Sequence, residues 1–225
     1  MNLELSTDQF SQQINRRFTG SKEMDGTVNS TLDEDFFVDL LCVFNDPERF
    51  DASDFMDYPI SSILLYLKKT HELYTTESLQ GVTNAIEVLS KRNPELSTLK
   101  VGLDNFFSNF RNKLEEHIEE EEKTLFPYVE SLINAKDGDS MIKTTTESVL
   151  TDFLKHHDDE LEEDLRDLVV ALKTLPKKYN DDSFAFRMLL NKVSIFERDL
   201  NVHGKIEEQV LIPKALVLEK ASLNR

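Results

Sequence analysis

From Pro59 onward, apolar residues recur at the three- and four-residue steps of a helix face. The first long run sets Ile60, Leu64, Leu67, His71, Tyr74, Val82, Ile86 and Leu89 near one side and breaks at Asn93-Pro94. The second spans about 97–134, with Ser97 as a candidate N-cap and Phe107, Phe110, Leu114, Ile118, Leu125 and Val129 inward. Asp137-Gly138-Asp139 reads as a turn. The third covers about 141–175 with Leu150, Leu154, His157, Leu161, Leu165, Leu168 and Leu172 in a stripe, and Pro176 with Asn180-Asp181-Asp182 ends it. The fourth runs over about 183–219 through Leu189, Val193, Phe196, Leu200, His203 and Leu211. Each stripe needs neighbours to cover it, so the pattern predicts an all-α fold, an up-down-up-down four-helix bundle over residues 55–225.

Residues 1–54 form a partly helical N-terminal extension. Residues 1–30 are polar and read as loosely packed. Thr31 and Glu34 make a capping box ahead of Phe37, Leu40, Leu41 and Phe44, and Asn45-Asp46-Pro47 ends that helix.

Composition supports helices over sheet: the 225 residues include only 6 Gly and 6 Pro, and 39% are hydrophobic, enough for a core. A net charge of -17 repels nucleic acid and anionic membrane, which removes both as expected partners. Cys42 is the sole cysteine, so no intrachain disulfide can form; it reads most simply as a small buried hydrophobe. No apolar run reaches the roughly 20 residues of a membrane span, and no leader is visible, so a cytoplasmic location is expected.

The histidines change the picture. His117 is followed by Glu121 and then Leu125-Phe126-Pro127; His203 is followed by Glu207 and then Leu211-Ile212-Pro213. These segments lie 86 positions apart, and so do His71 and His157. The chain therefore contains two similar helix pairs, each with one lone His and one His-x-x-x-Glu. Positions four apart share a helix face, and Glu121 and Glu207 occupy slots that the stripe otherwise gives to Leu. A buried carboxylate without a partner costs several kcal/mol or protonates, so two such Glu beside four His require cations. His71, His117, Glu121, His157, His203 and Glu207 are thus the candidate metal ligands. Their N and O donors suit two iron ions with bridging carboxylates, and zinc and manganese are allowed by ligand type. An oxo, hydroxo or water bridge would still leave each ion an open position. His156 is an alternative to His157. Glu122 and Glu208 read as surface acids, Tyr74 and Tyr128 as packing residues or outer hydrogen-bond donors, and Asp158 as a possible neighbour of the site.

These segments resemble the hemerythrin-like family, whose cation-binding motif is a repeated His-x-x-x-Glu. The stretch from Ile63 to Tyr74, the run from His117 to Pro127 and the run from His203 to Ala215 are most similar to its branch of di-iron proteins for repair of iron centres. The resemblance covers about residues 55–217. It implies a non-haem di-iron site that donates iron to recipient proteins, or reacts with nitric oxide or peroxide, under nitrosative or oxidative stress. Two departures stand out. Oxygen-carrying hemerythrins add a fifth His on the third helix, where this chain has Leu161, and His156 points about 100° away from His157. The repair branch carries an N-terminal Cys-Cys pair, where this chain has only Cys42. A gas or redox sensor acting through residues 1–54, and a metal-free scaffold bundle, are the alternative readings.

Overall fold

Strong helix formers and apolar residues at helical spacing leave the chain one economical course: helices whose stripes cover one another. A computed structural model describes residues 34–136, 148–156, 160–179 and 183–223, and among them there is no strand. In chain order the helices are α1 (Glu34–Asn45), α2 (Ala52–Phe55), α3 (Ile60–Leu73), α4 (Leu79–Arg92), α5 (Ser97–Glu120), α6 (Phe126–Lys136), α7 (Val149–His156), α8 (Glu160–Tyr179), α9 (Phe184–Ile206) and α10 (Ile212–Leu223).

Three pairs of these helices run on without a break in helical backbone. A π turn at Tyr74–Ser78 joins α3 to α4, one at Glu121–Leu125 joins α5 to α6, and one at Glu207–Leu211 joins α9 to α10. Each turn widens the ladder by one residue: Leu79 N–H donates to the Tyr74 carbonyl, Phe126 N–H to Glu121 and Ile212 N–H to Glu207.

The packing follows the stripes. α4 lies against α5 and α9, α8 lies against α9 and α5, and α10 lies against α6. The inward residues expected for the second and fourth runs, from Phe107 to Val129 and from Leu189 to Leu211, are buried. α1 and α2 pack on α9, where Phe36, Leu40, Phe44 and Phe55 enter the same apolar cluster as Leu67, Leu125 and Ile206. Arg198 Nη1 donates to the Phe44 carbonyl at 3.1 Å, near the negative end of α1, and Lys205 Nζ donates to the Pro47 carbonyl at 3.3 Å.

Several expectations need correction. Ser97 is the first residue of α5 and caps nothing; a 3₁₀ turn at Pro94–Leu96 leads into the helix instead. Pro176 does not end the third run, since α8 continues to Tyr179; a missing N–H in the last turn leaves the preceding turns intact. Leu154 is exposed rather than part of the stripe. Cys42 is exposed, because α1 turns Leu40, Val43 and Phe44 inward and Cys42 away. The capping box at Thr31, the loose segment 1–30 and the turn at 137–139 lie outside the described residues.

Candidate metal centre

Two apolar clusters fill the protein, and they meet at a thin polar layer. One side of it is lined by Leu67, Leu125 and Ile206, the other by Tyr74, Ile118 and Leu200. Between them lie His71 (2% exposed), Glu121 (1%), His203 (2%) and Glu207 (1%). Burying imidazoles and carboxylates together is costly unless they are paired or bind cations, so the layer marks a function rather than a core contact.

Local backbone brings these side chains to one level. His71 stands on the last turn of α3, just before the π turn at Tyr74–Ser78, and Glu121 and Glu207 each open a π turn. Such turns insert one residue into a helix and recur at functional sites. Here the extra residue restores the apolar stripe after the carboxylate. His203, Glu207, Leu211 and Ala215 are successive steps of four, which drift about 40° each around a regular α-helix. All four are nonetheless buried.

The donors converge closely. His71 Nε2 lies 3.0 Å from Glu121 Oε2 and 3.3 Å from His203 Nε2. His117 Nε2 lies 2.6 Å from Glu121 Oε1, and His203 Nε2 lies 3.7 Å from Glu207 Oε2. His71, Glu121 and His203 each present a ligand atom within 4.8 Å of the others. Phe126 stacks on the His71 ring at 5.2 Å, and Tyr74 packs edge-on against His203 at 5.6 Å.

Charge is distributed unevenly over the two glutamates. Burial opposes ionisation of Glu121, but the imidazoles of His117 and His71 outweigh it and hold the carboxyl well below its ordinary range. Burial pushes Glu207 well above its ordinary range, and the charges of Glu121, Glu208 and Glu162 add to the effect. Burial favours a neutral His117, yet the Glu121 carboxylate prevails, with help from Glu162 and Glu120, and raises it. One carboxylate thus ionises at the other's expense, as two acids in one dry layer must without a cation.

The donor set fits a metal. Its N and O atoms suit divalent cations of the first transition row. The imidazole nitrogens reach ion-pair distance from Glu121, yet neither Glu121 oxygen receives a hydrogen bond of acceptable geometry. Close approach without hydrogen-bond angles is how side chains sit around a shared ion.

Of the six candidate ligands, the structure gathers His71, Glu121 and His203 directly. His117 joins through Glu121, and Glu207 through His203. His117 is 21% exposed at its side chain, so it stands at the open edge of the layer. His157 lies outside the described residues, as does the side chain of its alternative, His156. Tyr128 is not at the site; its hydroxyl donates to Glu219 Oε1 at 2.6 Å.

Two features escaped the sequence reading. Glu122 is exposed, as a surface acid should be, yet it also accepts from His71 Nδ1 at 3.2 Å. Glu162 of α8 leans over Gly204, where an added β-carbon would stand 2.9 Å from Glu162 Oε1. The signal for the second was available: a glycine costs about 1 kcal/mol inside a helix, and this one directly follows the candidate ligand His203.

A helical protein with a buried carboxylate–imidazole layer between two apolar cores is of the metal-binding bundle class. The chain belongs to the hemerythrin family, since the model of the hemerythrin HHE cation-binding domain matches residues 79–215. Domains of this family bind metal cations, commonly iron. The matched stretch holds both His-x-x-x-Glu segments, while His71 lies just upstream of it. No curated protein and no solved structure matches the chain. Among the described residues, no helix is long and apolar enough to cross a membrane.

Proposed function

We propose that the polar layer holds two iron ions through His71, His117, Glu121, His157, His203 and Glu207, within an up-down-up-down four-helix bundle. The protein would serve in the protection or repair of iron centres under nitrosative or oxidative stress, in the cytoplasm. The observation that carries this reading is the convergence of His71 Nε2, His203 Nε2 and the Glu121 carboxylate inside an otherwise apolar interior. The repeat supplies the second half of the ligand set, and the resemblance to the repair branch supplies the physiological role.

Bound iron would contribute one-electron chemistry and open positions for nitric oxide or peroxide. The chain's own residues do the rest. Four imidazoles bind without adding charge, and Glu121 and Glu207 offset the charge of the ions. The apolar clusters on either side keep bulk water away from the layer. His117 at the open edge gives the site its contact with solvent, through which iron would pass to a recipient protein.

The test is anaerobic. Ferrous-loaded protein is mixed with nitric oxide, with hydrogen peroxide, and with an iron-depleted iron–sulfur protein. Spectral change with either oxidant, or iron transfer to the recipient, supports the reading; failure of all three overturns it.

A sensor reading draws on one observation: α2 touches the π turn at Glu207–Leu211, and α1 is tied to α9. A change at the ligands could pass to the N-terminal segment. Limited proteolysis that is identical in ferrous, ferric and nitrosyl forms would count against it.

A further inference from the structure

Glu121 and Glu122 are neighbours in sequence, yet both reach the same imidazole. Glu121 Oε2 lies 3.0 Å from His71 Nε2, and Glu122 Oε1 lies 3.2 Å from His71 Nδ1. On a regular α-helix, successive side chains diverge by about 100°. The π turn that opens at Glu121 is where this pairing occurs. The ring is held in two further ways: Phe126 stacks on its face at 20°, and the His203 ring centroid stands 4.9 Å away.

We infer that Glu122 is the positioning residue of His71: its carboxylate holds the Nδ1 proton and leaves Nε2 as the nitrogen that binds metal. A carboxylate accepts and cannot donate while ionised, so the hydrogen bond requires the proton on Nδ1. Which imidazole nitrogen serves a metal is set by the bond that the other one makes. Phe126 fixes the ring plane, and Glu122 fixes which edge of the ring faces the layer. Stability does not account for the contact. The Glu122 side chain is 48% exposed, and pairs that open to water contribute little to folding. Glu208 follows Glu207 as Glu122 follows Glu121, so both His-x-x-x-Glu segments carry a second acid.

This assignment rests on the metal-binding reading, and the test separates the two. Full-length chain is loaded with zinc, a diamagnetic probe for the same N and O donors. The ring nitrogens are read by long-range proton–nitrogen correlation, and metal retention by the rate of zinc transfer to a chelator. Wild type, Glu122→Ala and Glu122→Gln are compared, with thermal melting as the control for the fold. The expected wild-type signature is His71 protonated at Nδ1 and metal-bound at Nε2. Before zinc is added, wild type holds the His71 proton on Nδ1 whereas Glu122→Ala shows a mixture of tautomers, and once loaded the variant releases zinc about ten- to a hundredfold faster, the scale of removed outer-shell partners. Glu122→Gln, whose amide oxygen still accepts, restores the tautomer and most of the retention. An Ala variant that matches wild type in both readouts overturns the role of Glu122 while leaving the metal site standing. A wild-type His71 bound through Nδ1 overturns it without any variant. A wild-type chain that holds no zinc and no iron overturns both readings.

Discussion

His71 and His203 are 132 residues apart, yet their Nε2 atoms face each other at 3.3 Å in the middle of the protein. At most one of these nitrogens can donate to the other, and Glu121 Oε2 lies 3.0 Å from the same atom of His71. Three lone-pair-bearing atoms crowd one point between two apolar clusters. A cation at that point converts mutual crowding into coordination.

Removal of metal should destabilise the fold. A ligand present at a thousandfold over its dissociation constant stabilises a native state by about 4 kcal/mol. For a chain of this size that corresponds to roughly 10 °C in melting temperature. Calorimetry of metal-loaded and chelator-treated protein checks this; equal melting temperatures would show that the layer is satisfied without an ion.

Glu207→Gln should move two measurements in opposite directions. The folded-state pKa of Glu207 is raised above its ordinary value of 4.5 by burial first and by Glu121 next. Its favourable contribution is therefore full below that value and is lost as pH rises toward the folded one. Above the ordinary range the metal-free wild type is penalised and the Gln variant is not. The metal-free variant should melt higher than wild type at pH 8 and nearly equal to it at pH 4. Its metal retention should fall at least about tenfold, because a charged donor is gone. A Gln variant that is less stable than wild type without metal at pH 8 contradicts the account.

Much of this site was legible in the sequence. The repeat and the placement of Glu121 and Glu207 in leucine slots singled out six residues, of which His71, His117, Glu121, His203 and Glu207 lie close together, while His157 lies outside the described residues. The inward stripes of the second and fourth runs were read from periodicity alone. The π turns were not foreseen, although three successive steps of four from His203 to Ala215 are a trace of them. A regular helix would turn such a series away from the core, and the inserted residue turns it back. Helical periodicity placed Glu122 on the surface, where it is, but gave no sign of its contact with His71, made at the turn where the ladder widens. Cys42 was misjudged because composition predicts average burial, whereas the face of α1 that meets α9 is set by Phe36, Leu40 and Phe44.

Gly204→Ala should spare the fold and disturb the site. Alanine favours a helix over glycine by about 1 kcal/mol, and the atom it would meet is the flexible end of Glu162. Glu162 must swing away from Gly204, which lifts part of its charge from His117 and Glu207. The expected result is an unchanged or higher melting temperature without metal, together with an altered rate of metal uptake. Combining the change with Glu162→Ala should add little to either. Full additivity of the two effects on uptake would contradict a shared cause.

Phe36→Ala should destabilise the whole protein rather than only its N-terminal end. Phe36 is fully buried and meets the rings of Phe55, Tyr58 and Tyr66 at 5.1–6.0 Å. Loss of a buried phenylalanine costs about 3–5 kcal/mol. Denaturant melts should show one cooperative transition shifted by that amount. A separate early transition of α1, with the main one unmoved, would mean that the segment is only loosely attached.

The most direct test of the central claim is elemental analysis of metal per chain, on protein purified from iron-replete cells and on its His117→Ala and His203→Ala variants. The account predicts about two irons per wild-type chain and a loss of both in either variant that still folds. Wild type without stoichiometric metal, even after anaerobic reconstitution with ferrous iron, would contradict it and leave the polar layer as architecture alone.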